Sequence, residues 1–142
     1  MSPSGLSARI DDPVAAGFQR SGDGTVWADA AYRVVLRNWG VVGVEAVMKS
    51  EQGRCLRRLD ERENWFLPTP EGPAEGMYLK KHRVRPRGVR IHFKSTAEQT
   101  PALAEARNIG RLAAAGIGTM RLVAYGQGIS GRGREESFLL TE

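Results

Sequence analysis

Met77-Tyr78-Leu79-Lys80-Lys81-His82, MYLKKH, is the stretch on which the fold turns. Met77 and Leu79 alternate with Tyr78 and Lys80, the period-two pattern of a strand with one buried face. Lys80 then stands on the side of the pleat opposite Met77 and Leu79. Downstream runs the clearest helix in the chain, Thr100 to Gly116, TPALAEARNIGRLAAAG. Thr100 can cap it, Pro101 suits its first turn and Gly116 ends it. Ala102, Ile109, Leu112 and Ala113 define its apolar face, and Glu105 shares that face. A carboxylate turned towards a core is costly unless a cation meets it there, and the upstream strand offers Lys80.

Around this pair the chain divides into recognisable pieces. Residues 1–26, rich in Ser, Gly, Asp and Pro, read as a mobile lead-in. Residues 27–52 read as a helical preface. In its first part, WADAAYRVVLRN, Tyr32, Val35, Leu36 and Trp39 recur at helical spacing, with Asp29 and Gly40 as boundary signals. VGVEAVMKS is a second, weaker helical piece. RCLRRL and NWFLP are short strands separated by Asp60 to Glu63, and TPEGPAEG is a turn crowded with Pro and Gly. TMRLVAYG and SFLLT are strands flanking a glycine-rich hairpin. The expectation is an α+β fold: a helical preface, then a five-stranded antiparallel sheet with one long packed helix, filling residues 53–142.

Totals narrow the field. At 142 residues, one domain is the natural prior. No apolar run reaches the ~18 residues that span a bilayer, and the amino terminus lacks the pattern of a secretory signal. The one cysteine, Cys55, forms no internal disulfide, and with two histidines it supplies no zinc cluster. Both observations fit a reducing, cytoplasmic setting. Net charge is +5, and Lys80 to Lys94, KKHRVRPRGVRIHFK, carries seven Lys or Arg and no acid. Such a block attracts phosphates, whether on nucleotide, nucleic acid or an anionic lipid surface.

A strand lysine paired with a glutamate on the following helix has a known chemical use: the lysine grips the α- and β-phosphates of ATP while the glutamate holds it in place. Four short motifs in order strengthen that comparison. They are Tyr78, Lys80 and His82; the helix with Glu105 and Leu112; Gly116 to Gly126; and Ser137 to Glu142, SFLLTE. Together they resemble the amino-terminal lobe of the lipopolysaccharide core kinases, the heptose and Kdo kinases related to protein kinases. The resemblance covers residues 54–142, best from Met77 onward; Lys81 and the residues around Arg107 depart from the pattern.

The resemblance implies a protein-kinase-like amino-terminal lobe with Lys80 as the phosphate-binding lysine and Glu105 as its partner. Leu140, Thr141 and Glu142 would line the hinge against adenine. Asp60, Glu61, Arg62 and Glu63 would stand where kinases place a glycine-rich loop over the phosphates, although this stretch contains no glycine. ATP would be the phosphoryl donor, with Mg²⁺ held by a second lobe that also carries the catalytic aspartate. This chain alone would be inactive. The acceptor would be a lipid-linked core sugar, reached by peripheral contact with the inner face of the cytoplasmic membrane. The alternative is a non-catalytic basic module binding anionic partners such as nucleic acid or a membrane surface.

Other signals carry less. Gly126 to Gly131, GQGISG, matches G-x-G-x-x-G, but strand rather than helix follows, so a flexible hairpin is expected. His82 and His92 flank the basic block without an evident partner, Cys55 has no neighbouring base, and Trp27, Trp39 and Trp65 suit core packing.

Overall fold

The computed structural model describes residue 14 and residues 17–68, 76–84 and 100–142. Seven strands form one sheet: β1 Phe18–Ser21, β2 Val26–Asp29, β3 Arg54–Leu59, β4 Arg62–Pro68, β5 Gly76–Val84, β6 Leu122–Ile129 and β7 Glu135–Thr141. All neighbours are antiparallel, in the order β1-β2-β6-β7-β5-β4-β3. Among the described residues three α-helices accompany them: α1 Arg33–Asn38, α2 Val44–Lys49 and α3 Pro101–Ala114, with a 3₁₀ turn at Ala30–Tyr32 ahead of α1.

The sheet has seven strands rather than the five expected, and both extra strands come from residues read as lead-in and helix. Trp27 pairs with Tyr125 and Val26 with Gly126, so this segment extends the sheet past β6. Val26 and Ala28 turn to one face and Trp27 to the other, and burying both faces outweighs local helical preference. The boundary signals nevertheless act. Asp29 Oδ1 accepts a hydrogen bond from Ala31 N at 2.9 Å, capping the 3₁₀ turn. Gly40, at φ +72°, closes α1. Residues 1–13 and 15–16 of the lead-in, the expected turn at 69–75 and the basic segment 85–99, His92 included, lie outside the described residues.

Each sheet face has its own cover. Val26, Leu67, Met77, Leu79, Phe138 and Leu140 pack under Tyr32, Leu36, Val44, Val47 and Met48 of the preface. On the opposite face, Phe18, Trp27, Leu122, Tyr125 and Leu139 pack against Ala102, Leu103, Ala106 and Ile109 of α3. Burial of the larger apolar side chains contributes about 1.5–3 kcal/mol each. Leu103 and Ala106 take the core positions expected of Leu112 and Ala113, which are exposed. At the other rim, β3 is exposed throughout, and Arg54, Arg57 and Arg58 blunt the sheet edge.

Lys81 departs most from what a basic run suggests. Strand alternation points it away from Lys80 into the preface-side core, where its side chain is 1% exposed. Its ammonium donates to the carbonyls of Met48 and Ser50, sits 3.8 Å from Glu63 Oε1 and lies 4.9 Å from the centroid of the Trp65 ring. Arg83 Nη2 also donates to Met48 O, at 2.8 Å. Two cations thus satisfy carbonyls at the α2 C-terminus, where the helix dipole favours positive charge. Burial lowers the Lys81 pKa, and Glu63 counters that shift. Burial alone would raise the Glu63 pKa, but hydrogen bonds from Trp65 and Arg83 and the nearby cations hold it below its ordinary value.

Candidate active site

Helix α3 is placed by polar contacts at its first turn. The Thr100 hydroxyl accepts from Leu103 N and donates to Gln127 Oε1 at 2.7 Å. Ser137 Oγ accepts from Ala102 N at 3.4 Å. Thr100, Gln127 and Ser137 are each 1% exposed, so these bonds pin the helix to β6 and β7 in a dry environment. Ala102 and Ala106, fully buried and small, let the helix lie close to the sheet. Glu105 then falls over β5. At the far end Gly116 (φ +76°) and Ile117 donate to Ala113 O and Leu112 O, a Schellman closure.

Lys80 meets Glu105 there. Lys80 Nζ donates to Glu105 Oε2 at 2.8 Å, with the two side chains 34% and 31% exposed. The contact that the sequence pattern leads one to expect is present, and its partial exposure leaves donor capacity for a ligand. On the same face, register places Asn64 across from Lys80, Phe66 across from Tyr78 and Arg62 across from His82. The Phe66 and Tyr78 rings are 5.3 Å apart, and Tyr78 is half exposed. Cations and an amide therefore adjoin an aromatic surface, which suits a molecule that is anionic at one end and flat at the other.

The other residues expected at the site divide between the two faces. Asp60 and Glu61 form the two-residue turn between β3 and β4, and Arg62 is exposed on the Lys80 face. Glu63 lies on the opposite face, bonded to Trp65 Nε1 at 2.9 Å and to Arg83 Nη1 at 2.8 Å. Alternation turns the side chains of adjacent residues of one strand to opposite faces. Leu140 likewise packs into the preface-side core, whereas Thr141, register partner of Tyr78, faces the Lys80 side. The Glu142 side chain approaches Arg121 near β2.

Asn64 and His82 are the residues that sequence reasoning undervalued. Asn64 Oδ1 and His82 Nε2 are buried and lack a hydrogen-bond partner among the described residues. Burial lowers the His82 pKa; Glu105 opposes that shift, while Arg62 and Lys80 reinforce it, so the imidazole is neutral at physiological pH. Period-two counting from Trp65 and Leu67 places Asn64 on the outward face, but only the β4–β5 register shows that this is the face of Lys80. Gly126 to Gly131 belongs to the β6 end and the hairpin as expected, and a side chain at Gly126 would strike Phe138 and Thr25 O. Among the described residues no group of three His, Cys, Asp or Glu could hold a metal ion.

The lipopolysaccharide kinase (Kdo/WaaP) family matches residues 46–142, from within α2 to the end of β7. Comparison with curated proteins gives no match. Among solved structures, WaaP in complex with acyl carrier protein is similar at 31% identity and a TM-score of 0.50. The similarity covers 76% of this chain and 37% of that one, so this chain spans little more than a third of the WaaP chain. In that structure WaaP has a protein companion, a kind of partner the sequence reading did not include. Since the family match takes in well over half of the residues, the chain belongs to the lipopolysaccharide kinase (Kdo/WaaP) family.

Proposed function

We propose that this chain is the nucleotide-binding lobe of an ATP-dependent kinase that phosphorylates a sugar hydroxyl of the lipopolysaccharide core. The carrying observation is the 2.8 Å contact between Lys80 and Glu105, on the sheet face that also bears Arg62, Asn64, Tyr78 and Thr141. Lys80 binds the α- and β-phosphates, Glu105 orients Lys80, and Arg62 adds positive charge from β4. Tyr78, Phe66 and the backbone of Leu140 to Glu142 border the adenine. ATP bound there supplies the phosphoryl group; the lobe's share is positioning and charge, with no nucleophile of its own.

On this reading, which follows the family resemblance, Mg²⁺ and the catalytic aspartate belong to a second lobe, and this chain alone would transfer no phosphoryl group. The reading implies a lipid-linked acceptor at the inner face of the cytoplasmic membrane. No helix of the described residues is long and apolar enough to cross a membrane. A basic module for nucleic acid is the weaker reading. Of the described cations of the basic block, Lys81 and Arg83 turn away from the Lys80 face and are engaged by acids and carbonyls.

The test is titration of the chain with ATP at two salt concentrations, alongside Lys80→Met and Glu105→Gln. Losing one charge-assisted contact corresponds to a drop in ATP affinity of about tenfold to a hundredfold for Lys80→Met, and less for Glu105→Gln. Affinity that survives both substitutions and merely falls with salt favours the basic module.

A further inference from the structure

The end of β7 is held by residues that the nucleotide-binding motifs do not include. Glu142 N donates to Arg121 O at 3.0 Å. Arg121 Nε lies 3.8 Å from Glu142 Oε1, and its Nη2 donates to Asp29 Oδ2 at 3.4 Å. The same guanidinium sits 5.4 Å from the centroid of the Tyr32 ring, which is 1% exposed. The Tyr32 hydroxyl and Glu142 Oε2 are both buried without a partner at full hydrogen-bonding geometry, yet close enough to interact. Burial first, and then Glu142, raises the Tyr32 pKa, so the tyrosine stays neutral.

Three segments therefore converge on Arg121, the residue before β6: the end of β2, the 3₁₀ turn and the residue after β7. Asp29 and Tyr32 precede the family match, which begins at residue 46. A strand end frays unless its backbone and side chain are both fixed, and here Arg121 fixes both. Its guanidinium is in turn oriented from the far side by Asp29 and from beneath by an aromatic face, arrangements that favour Arg over Lys.

We propose that Asp29, Tyr32 and Arg121 are positioning residues for the adenine side of the site: they fix Glu142 so that the Leu140–Glu142 backbone keeps its place beside Tyr78. The segment ahead of the family match thus serves nucleotide affinity as well as the core. This inference rests on the kinase reading above and concerns the purine end of the ligand, whereas Lys80 and Glu105 serve the phosphate end. The two ends can be weighed separately, because inorganic triphosphate has charge and no base.

The experiment is calorimetric titration of the 142-residue chain with ATP and with inorganic triphosphate, for wild type, Tyr32→Phe, Arg121→Gln and Lys80→Met. Tyr32→Phe keeps the ring and the charge balance, and circular dichroism verifies folding. The expected result for Arg121→Gln is about a tenfold loss for ATP with triphosphate affinity unchanged within about twofold, and a smaller loss in the same sense for Tyr32→Phe. Faster amide hydrogen exchange at Glu142 should accompany both. An unchanged ratio of ATP to triphosphate affinity, or equal losses for the two ligands, overturns the positioning role alone. Wild type that binds neither ligand, or Lys80→Met that weakens neither, overturns the kinase reading and this inference with it.

Discussion

Glu63 shows how much one side chain can decide. Replacing it with Gln leaves Lys81, buried, and Arg83, largely buried, without the carboxylate that faces them. Uncompensated buried charge of this kind costs about 3 kcal/mol, measurable as a lower urea midpoint for Glu63→Gln. The pH dependence has a definite sign. The Glu63 pKa is depressed in the folded state, so its contribution is present above the unfolded value near 4.5 and is lost as pH falls through the folded value. Urea melts from about pH 7 down to pH 3 should therefore bring wild type and Glu63→Gln together in acid; a gap independent of pH would contradict the assignment. Lys80 and Glu105 were legible in the sequence because strand and helix periodicity place each on a definite face. Lys81 was not. A lysine in a basic run looks solvated, and its burial depends on α2 carbonyls that lie about thirty residues away in the chain.

Local signals fix an element when its partners are near in sequence. Helix α3 carries its own limits in Thr100, Pro101 and Gly116, and all three act as expected. Thr100→Val should cost about 2–3 kcal/mol, because it removes the cap and a buried hydrogen bond to Gln127. The same change should weaken ATP binding, since it loosens the turn that carries Glu105; thermal melts and ATP titration of one sample measure both effects. Strand β2 is the opposite case. Its residues read as helix in isolation, and their strand state comes from pairing with β6 about a hundred residues later. Asn64 was missed for the same reason, since a face is readable from alternation but a neighbour requires register.

At the scale of the molecule, the sheet order was the part that sequence could not supply. β1 and β2 close one side of the sheet against β6, and Phe18, Val26 and Trp27 contribute to both cores. A chain beginning at residue 30 would leave β6 as a bare edge beside uncovered apolar surface. The expected outcome is self-association, seen as early elution in size-exclusion chromatography; a well-behaved monomer would show that the added strands are dispensable. Helix α3 has a further consequence. It is tethered through Thr100 and Ala102, and its residues from Arg111 onward are exposed. At 1.5 Å per residue, Glu105 is about 6 Å from the tether and Ala114 about 20 Å. A rod held along its first nine residues and unsupported beyond them moves mostly past Ile109, so thermal motion would spread around Ala114 while barely disturbing the lysine's grip.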